Sequence, residues 1–398
     1  MQRTYLSDTN ADYKCLEDYL SNGEFGELPD KDSHTLQHDS LNNATILEFV
    51  RQMNPKFVSL DSNNEVLNGI DDLLDAHILP TRYDAPTSFH LLDSLVTTLR
   101  TTLERLDIET ENFPLHATVP TGMINAMVVD LPCSSKSFLL FDSQLFTFCN
   151  LIAKIYAQCL FPVAGTYVVS TDTIKQTIAN DPAIVIRLTG LLDALVRNGK
   201  PGTSKPFPVD PRSVRLAHDL CRGMELFIVA HEFGHVYAGH LDTANSKLHM
   251  SEVLTEISSS HRKEYEADYA ALIFTTHSLE HEQWDFWQIN SSIKLFFSSL
   301  DLINRYADYI TNGPNRKFTS KESETHPSNE NRKKSIDFAI GELEIPTVQR
   351  DLASHHGILI DEATHLLWAS ITKDKSAPGR NDPCYCGSGL KYKKCCSV

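Results

Sequence analysis

The sequence predicts an α+β fold that is mostly helical and includes one small sheet. Apolar residues recur every three or four positions in most of the long segments, which is the period of a helix with one buried face. Two short runs, 123–131 and 165–170, instead combine β-branched residues with neighbouring turn residues, which is typical of strands. The predicted helical segments are residues 66–108, 138–161, 214–241, 251–275, 281–309 and 336–372.

The composition indicates a globular protein whose chain is long enough for two or three domains. Of the 398 residues, 41% are hydrophobic and 22% are charged, which excludes fibrous, collagen-like and wholly disordered proteins. The net charge of −16 makes the surface unsuited to general nucleic-acid binding. We predict an acidic, mainly helical region at 1–200, a core at 201–372 and a tail at 377–398. Residues 1–63 contain few apolar runs, and we expect them to pack loosely.

The cysteines and the hydropathy pattern predict a protein of the reducing cytoplasm. Residues 1–14 are polar and do not resemble a signal peptide, and no run reaches the roughly 18 apolar residues of a membrane span. Of the nine cysteines, four lie near the C-terminus, which indicates a metal site, and the others are scattered. We expect the scattered cysteines to be reduced, because disulfides are rare in the cytosol. They are Cys15, Cys133, Cys149, Cys159 and Cys221.

The helical segment 214–241 contains the pattern H-E-x-x-H, formed by His231, Glu232 and His235. Histidines four residues apart lie on one face of a helix, so both imidazoles can bind one zinc ion. Glu232 can then take a proton from a zinc-bound water molecule, whose pKa is about 7. The alternative is a helix with two unrelated histidines, and a third ligand distinguishes the two interpretations.

A catalytic zinc site needs a third protein ligand and one open position. His240 lies nine residues after His231, one residue short of the third histidine in the metzincin pattern. Glu264 is the better candidate, because it lies four residues before Asp268 in a helical segment, so both side chains can face the first helix. We expect Glu264 to bind zinc and Asp268 to orient a ligand histidine through its ring N–H. The alternative for this pair is a solvated acidic helix face.

The order of these motifs resembles the gluzincin metallopeptidases, in particular the HtpX and CAAX-prenyl-protease type. That type has H-E-x-x-H, then E-x-x-A-D on a later helix, then H-P followed by an arginine, which correspond here to 231–235, 264–268, and His326 with Arg332. The resemblance implies a zincin-like helical core and endopeptidase activity. It also implies that His326 stabilises the oxyanion of the tetrahedral intermediate and that Arg332 pairs with a carboxylate of the site. The alternative for His326 and Arg332 is a polar loop.

The resemblance covers about residues 231–335 and leaves 1–200 unexplained. The familiar members of this type are embedded in membranes, whereas this sequence has no predicted membrane span. The substrates of those membrane-embedded members are therefore not assigned to this protein. Soluble peptidases with the same helix also exist, among them bacterial regulators and phage-exclusion enzymes.

The tail contains Cys384, Cys386, Cys395 and Cys396 in the spacing C-x-C-x8-C-C. Four thiolates in two close pairs form a closed tetrahedral zinc site, which is structural and not catalytic. Such a short segment cannot bury a core, so metal binding would supply most of its folding free energy. Residues 378–396 resemble the SEC-C motif at the C-terminus of the bacterial SecA translocation ATPase, where the module docks a chaperone. The resemblance implies a bacterial source and a recruitment role toward a chaperone, translocation or ribosome-associated partner.

The sequence therefore predicts a cytoplasmic zinc endopeptidase that hydrolyses a protein substrate, with one catalytic and one structural zinc ion. No specific nucleic-acid partner is expected. A non-catalytic, metal-stabilised adaptor or sensor is the alternative from another class of function. A latent toxin or phage-defence peptidase is a third interpretation, and it rests on analogy.

Overall fold

The computed structural model describes residues 4–23, 28, 78–122, 124–161, 169–204, 207, 209–240, 253–313, 326–373 and 391, with 253–259 described by their backbone alone. The helices are α1 (Ala11–Ser21), α2 (Pro86–Arg105), α3 (Leu145–Leu160), α4 (Thr171–Asn180), α5 (Pro182–Asn198), α6 (Val214–Tyr237), α7 (Val253–His281), α8 (Phe286–Asn312), α9 (Asn329–Glu342) and α10 (Thr347–Lys373). The strands are β1 (Leu115–Val119), β2 (Ala126–Val129) and β3 (Phe138–Asp142). None of these helices is both long enough and apolar enough to cross a membrane.

The sheet separates two hydrophobic cores. Its strands are ordered β1-β3-β2, with β1 parallel and β2 antiparallel to the central β3. Because side chains alternate between the faces of a strand, Leu139 and Phe141 of β3 join the main core, while Phe138 and Leu140 join a smaller core that includes α1. The predicted small sheet is thus present, and the described part of the chain is mostly helical, as the sequence predicts.

α6 is the central helix of the main core. It packs against α2, α3, α7, α8 and β2, and every residue from Gly223 to Gly234 is buried. A helix with neighbours on all sides must be apolar on all sides, which explains the continuous apolar run before the H-E-x-x-H pattern. The main core extends from Leu92 in α2 to Ile371 in α10, so it contains side chains from both sides of residue 200.

The segment 138–161, predicted as one helix, is divided into a strand and a helix. Residues Phe138–Asp142 form β3, and α3 begins after a short turn. The carboxylate of Asp142 stabilises this turn by accepting a hydrogen bond of 2.8 Å from the backbone N–H of Gln144. The helix prediction was wrong for β3 because a short apolar run that is buried on both faces has no period that distinguishes strand from helix. β1 was not predicted, and most of the predicted strand 165–170 lies outside the described residues.

The N-terminal residues pack closely where they are described, contrary to the loose start that the sequence predicts. Asn10 caps α1 by accepting hydrogen bonds from the backbone N–H groups of Asp12 and Tyr13. Leu16 and Leu20 are buried in the smaller core beside the sheet. Tyr13 and Cys15 are buried in the same core, so this short helix docks through one apolar face although the composition of the segment is mostly polar.

Cys15 in α1 and Cys133, in the connection after β2, form a disulfide. The prediction of reduced thiols was therefore wrong for this pair. The two cysteines are 118 residues apart, and only the packing of α1 beside the sheet brings their Cα atoms to 5.8 Å. Cys149, Cys159 and Cys221 are free and buried, as predicted. Disulfides are rare in reducing compartments, so this pair does not fit the reducing cytoplasm that the cysteine pattern predicts.

Candidate metal centre

The candidate site lies where α6 crosses α7, and a glycine sets how closely the two helices approach. A Cβ atom on Gly234 would lie 2.9 Å from the carbonyl oxygen of Ala267 and 3.1 Å from its Cα atom. The absence of a side chain at this position therefore allows the two backbones to touch. As a result, the turn of α6 that carries the two histidines faces the turn of α7 that carries Glu264 and Asp268.

His231, His235 and Glu264 present three ligand atoms around one point. His231 Nε2 lies 3.3 Å from His235 Nε2 and 3.6 Å from Glu264 Oε2, and His235 Nε2 lies 3.5 Å from Glu264 Oε1. Tetrahedral zinc ligands at about 2.0–2.1 Å from the ion lie about 3.3–3.4 Å from one another. The two nitrogens have this spacing, each lies 3.5–3.6 Å from one oxygen of the Glu264 carboxylate, and the three residues can therefore hold a tetrahedral zinc ion with one open position.

The charge of the site also fits a divalent cation. Glu232, Glu264 and Asp268 are buried carboxyl groups, and Arg332 is the buried cation that faces them. Oε2 of Glu264 is buried and accepts no hydrogen bond from the described residues. A buried carboxylate oxygen without a donor is costly, and a bound cation would remove that cost.

Asp268 orients the first histidine of the site. His231 Nδ1 lies 3.0 Å from Asp268 Oδ1, so its N–H donates to the carboxylate and Nε2 keeps the lone pair that a metal needs. Burial opposes the charged form of His231, but the hydrogen bond to Asp268 raises its pKa overall. For His235, burial is the main cause that lowers the pKa, to about 3, and the neighbouring rings of His231 and His240 act in the same direction, so this ring is neutral.

Arg332 holds Asp268 from α9. The helix begins after Ser328, whose hydroxyl accepts a hydrogen bond from the backbone N–H of Asn331. Arg332 Nε and Nη2 donate to the two oxygens of Asp268 at 2.8 and 2.6 Å, and Nη1 lies 3.4 Å from Glu264 Oε2. Burial alone would raise the pKa of Asp268, but the charge and hydrogen bonds of Arg332 lower it to about 2. Asp268 is therefore ionised at neutral pH.

Glu232 follows the first histidine in α6 and is 8% exposed. Burial raises its pKa to about 7, while the charge of His231 lowers the pKa and that of Glu264 raises it by smaller amounts. A carboxyl group whose pKa lies near neutrality can both accept and donate a proton under cellular conditions. The role of base that the sequence predicts for Glu232 stays a prediction.

His326 lies at the exposed edge of the site. Its side chain is 60% exposed, and its Nε2 lies 3.6 Å from Glu264 Oε1. It is not part of the three-residue group that can hold a metal within the described residues. A molecule that approaches from solvent can therefore contact His326 beside the ligand set.

His240, which does not fit the metzincin spacing, lies beside the site. Its Nδ1 is 3.0 Å from His235 Nδ1, so it contacts a candidate ligand through the ring nitrogen that faces away from the metal position. Spacing rules for a third ligand miss this contact. The one local signal for it is the glycine that directly precedes His240 at the end of α6.

The tail cysteines, Cys384, Cys386, Cys395 and Cys396, lie outside the described residues. A family model for the SEC-C motif matches residues 380–397. The chain therefore contains a SEC-C motif, a motif that usually binds zinc.

The curated relatives match only this motif. The SecA protein translocase subunits of Syntrophotalea carbinolica and Geobacter sp. strain M21 are 69% identical over 26 residues and 55% identical over 38 residues. These alignments cover 6% and 10% of this chain and 3% and 4% of the relatives. A UPF0225 protein of Sodalis glossinidius is 62% identical over 29 residues, which are 7% of this chain and 19% of that protein. The chain thus spans less than a fifth of the length of these relatives, and no solved structure matches it.

Proposed function

We propose that this protein is a zinc-dependent endopeptidase that hydrolyses a protein substrate. The proposal rests on the group of His231, His235 and Glu264, in which the two Nε2 atoms lie 3.3 Å apart and each lies 3.5–3.6 Å from one oxygen of Glu264, with the buried carboxyl group of Glu232 beside them. A three-ligand zinc site next to an acid–base group is the combination that hydrolysis by activated water needs. The resemblance to gluzincin peptidases supports a peptide bond as the bond that is cleaved.

The three ligands hold the metal, and Glu232 moves the protons. Zinc, when bound, supplies a Lewis acid that activates water near neutral pH and polarises a carbonyl group. The carboxylate of Glu232 accepts a proton from the attacking water molecule. The carboxyl group then donates that proton to the leaving amine nitrogen as the C–N bond breaks. Burial raises the pKa of Glu232 to about 7 in the metal-free site, so the group lies in a range where it can exchange protons.

Three further residues support this chemistry. His326 lies at the exposed edge, where its ring N–H can donate a hydrogen bond to the oxyanion of a bound substrate. Asp268 keeps His231 in the orientation and tautomer of a ligand. Arg332 keeps Asp268 ionised, so that this hydrogen bond is maintained.

The SEC-C tail recruits a partner or a substrate in this proposal. Its four cysteines bind a structural zinc ion, and its net basic charge contrasts with the acidic chain. Relatives with the same motif are named protein translocase subunits. This supports a chaperone, a translocation component or a ribosome-associated protein as the partner. A cytoplasmic location belongs to the proposal, and the state of Cys15 and Cys133 in the cell tests it.

A survey of new protein N-termini by mass spectrometry tests the proposal directly. Bacterial cells that express the wild type are compared with cells that express Glu232→Gln, which keeps the zinc ligands and removes the base. Glu104→Gln is the matched control, because Glu104 is exposed on α2. We expect new termini in the wild type and the control and none in Glu232→Gln. The cut sites would also identify the substrate.

The same new termini in the wild type and in Glu232→Gln would contradict the assignment of the base. If both profiles lack new termini while the purified chain binds two zinc ions, a metal-stabilised adaptor or sensor becomes the better explanation. New termini that appear only after a stress or phage infection would instead favour the latent toxin or defence peptidase.

A further inference from the structure

We propose that His240 and Glu266 are positioning residues for His235, and that the chain of contacts Glu266–His240–His235 holds the second histidine as a metal ligand. This inference rests on the proposed metal site. It adds a second orienting group beside Asp268, which acts on His231. The two histidines of the H-E-x-x-H pattern would then be oriented by different partners.

The end of α6 brings His240 back over His235. Gly239 has a φ of +69°, in the left-handed region that glycine adopts without strain. The backbone N–H of His240 donates to the carbonyl of His235 at 2.9 Å, and that of Gly239 donates to Val236 at 3.0 Å. This pair of hydrogen bonds is a Schellman motif. The two imidazole rings are consequently 5.2 Å apart between centroids.

The side-chain contacts favour one arrangement of the protons on the two rings. His240 Nε2 lies 2.9 Å from Glu266 Oε2, and because a carboxylate only accepts, Nε2 must carry the hydrogen. The Nδ1 atom of a neutral His240 then has a free lone pair. It accepts from Nδ1–H of His235 at 3.0 Å, which leaves the lone pair of His235 on Nε2. That is the atom that faces His231 Nε2 and Glu264 Oε1 at 3.3 and 3.5 Å.

α7 holds the outer end of this chain of contacts. Arg262 Nε donates to Glu266 Oε1 at 2.7 Å, and Lys263 Nζ donates to the backbone carbonyl of His240 at 3.0 Å. The side chain of His240 is only 7% exposed, whereas that of Glu266 is 40% exposed. One helix thus provides the ligand Glu264 and, two residues later, the group that orients a ligand on the other helix.

The test measures zinc affinity at this site in the full-length protein. Competition with a chromophoric chelator gives the affinity, and Co²⁺ is the spectroscopic probe, because the thiolate bands of the tail separate it from a site without cysteine. The variants are His240→Ala, His240→Asn, Glu266→Ala and Glu266→Gln. His365→Ala is the matched control, since His365 is exposed on α10.

We expect His240→Ala to weaken zinc binding about 10–100-fold, the usual effect of losing a partner of a ligand histidine. His240→Asn should recover much of this loss, because its side-chain oxygen can accept from His235 Nδ1–H. Glu266→Gln should likewise bind zinc more tightly than Glu266→Ala. Without metal, the urea midpoint of His240→Ala should be similar to that of His240→Asn, and the midpoint of Glu266→Ala should be similar to that of Glu266→Gln.

Equal zinc affinities in His240→Ala and the wild type would overturn the inference, as would equal losses in His240→Ala and His240→Asn. A loss of metal-free stability with unchanged affinity would also overturn it, since His240 would then only hold the helix end. If the wild type and His231→Ala bind the same amount of zinc, the metal site itself is wrong. Tight zinc binding without any cleavage would reject the proposed peptidase and leave the role of His240 and Glu266 intact.

Discussion

Three buried acids on α6 and α7 differ in pKa because their neighbours differ. Burial favours the uncharged form of a carboxyl group, and it raises the pKa of Glu225 and Glu232 to about 7. Asp268 is equally buried, yet the guanidinium of Arg332 lowers its pKa to about 2. Glu225 and Glu232 can therefore each gain or lose a proton near neutral pH. Asp268 stays ionised and accepts the hydrogen bond from His231.

Glu225→Gln should change how stability depends on pH. The pKa of Glu225 is about 7 in the folded protein and about 4.5 in an unfolded chain. The folded state therefore binds more protons between these values, and the free energy of unfolding falls as the pH rises from about 4.5 to 7. The loss is on the order of 3 kcal/mol. We expect Glu225→Gln to remove it, so that the variant gains stability over the wild type at pH 8 but not at pH 4.

Urea unfolding of the metal-free protein at several pH values measures this difference. Gln still provides an oxygen for the Cys221 thiol, which donates to Glu225 Oε1 at 3.2 Å. Glu104→Gln controls for a change of charge at an exposed site. A stability difference between Glu225→Gln and the wild type that does not vary with pH would contradict the prediction.

Arg332→Ala should destabilise the protein strongly, because it leaves the charge of Asp268 buried without its cation. Removal of one partner of a buried ion pair costs about 3–5 kcal/mol. The double variant Arg332→Ala/Asp268→Asn should lose less stability than the sum of its two single variants. A double-mutant cycle by urea unfolding measures this coupling, and additive losses would show that the two side chains do not act as a pair.

At the scale of helices, the contact between α6 and α7 depends on the missing side chain of Gly234. In Gly234→Ala, the new Cβ meets the backbone of Ala267, which cannot rotate away. The helices must separate, at a cost of about 1–3 kcal/mol. Because the zinc ligands lie on both helices, we expect zinc affinity at this site to fall as well. Chelator competition and urea unfolding measure the two effects.

Gly190→Ala is the matched control for Gly234→Ala. Gly190 lies inside α5, and a Cβ there would have no neighbour within 4 Å. Alanine should stabilise this helix by about 0.5–1 kcal/mol and leave zinc binding unchanged. If Gly234→Ala also raised stability and left zinc binding unchanged, the close contact between α6 and α7 at this position would be contradicted.

For the whole molecule, the disulfide between Cys15 and Cys133 links the N-terminal helix to the sheet. Alkylation in denaturant with chelator and without reductant should modify seven of the nine cysteines, since two are paired. Reduction should lower the free energy of unfolding by about 2–5 kcal/mol. Cys15→Ser should be as unstable as the reduced wild type, even when no reductant is present. Modification of all nine cysteines in protein taken from cells would show that the pair is reduced there.

The protein should bind two zinc ions at independent sites. His231→Ala/His235→Ala should remove one ion, and Cys395→Ser/Cys396→Ser should remove the other. Elemental analysis of the purified chain counts the ions. Loss of both ions from either double variant would show that the two sites depend on each other.

The sequence by itself determined the features that depend on a single stretch of chain. The period of the apolar residues predicted α6 to α8, and the run of β-branched residues at 123–131 predicted β2, because both are local properties of the sequence. The spacing of His231 and His235 placed both rings on one face of α6 for the same reason. The spacing of the tail cysteines predicted a zinc site, and the resemblance of residues 378–396 to the SEC-C motif agrees with the family model, which matches 380–397.

Only the tertiary structure decided which distant residues meet. Glu264 reaches the histidines because Gly234 lets α6 and α7 touch, and Arg332 reaches Asp268 because α9 packs against α7. The contact of His240 with His235 depends on a left-handed glycine and on Glu266 of another helix. The strand β3 formed because both of its faces are covered, which periodicity does not reveal. The contacts of Glu264, Arg332 and Glu266 join segments far apart in sequence, so the sequence named Glu264 and Arg332 as candidates and gave no sign of Glu266.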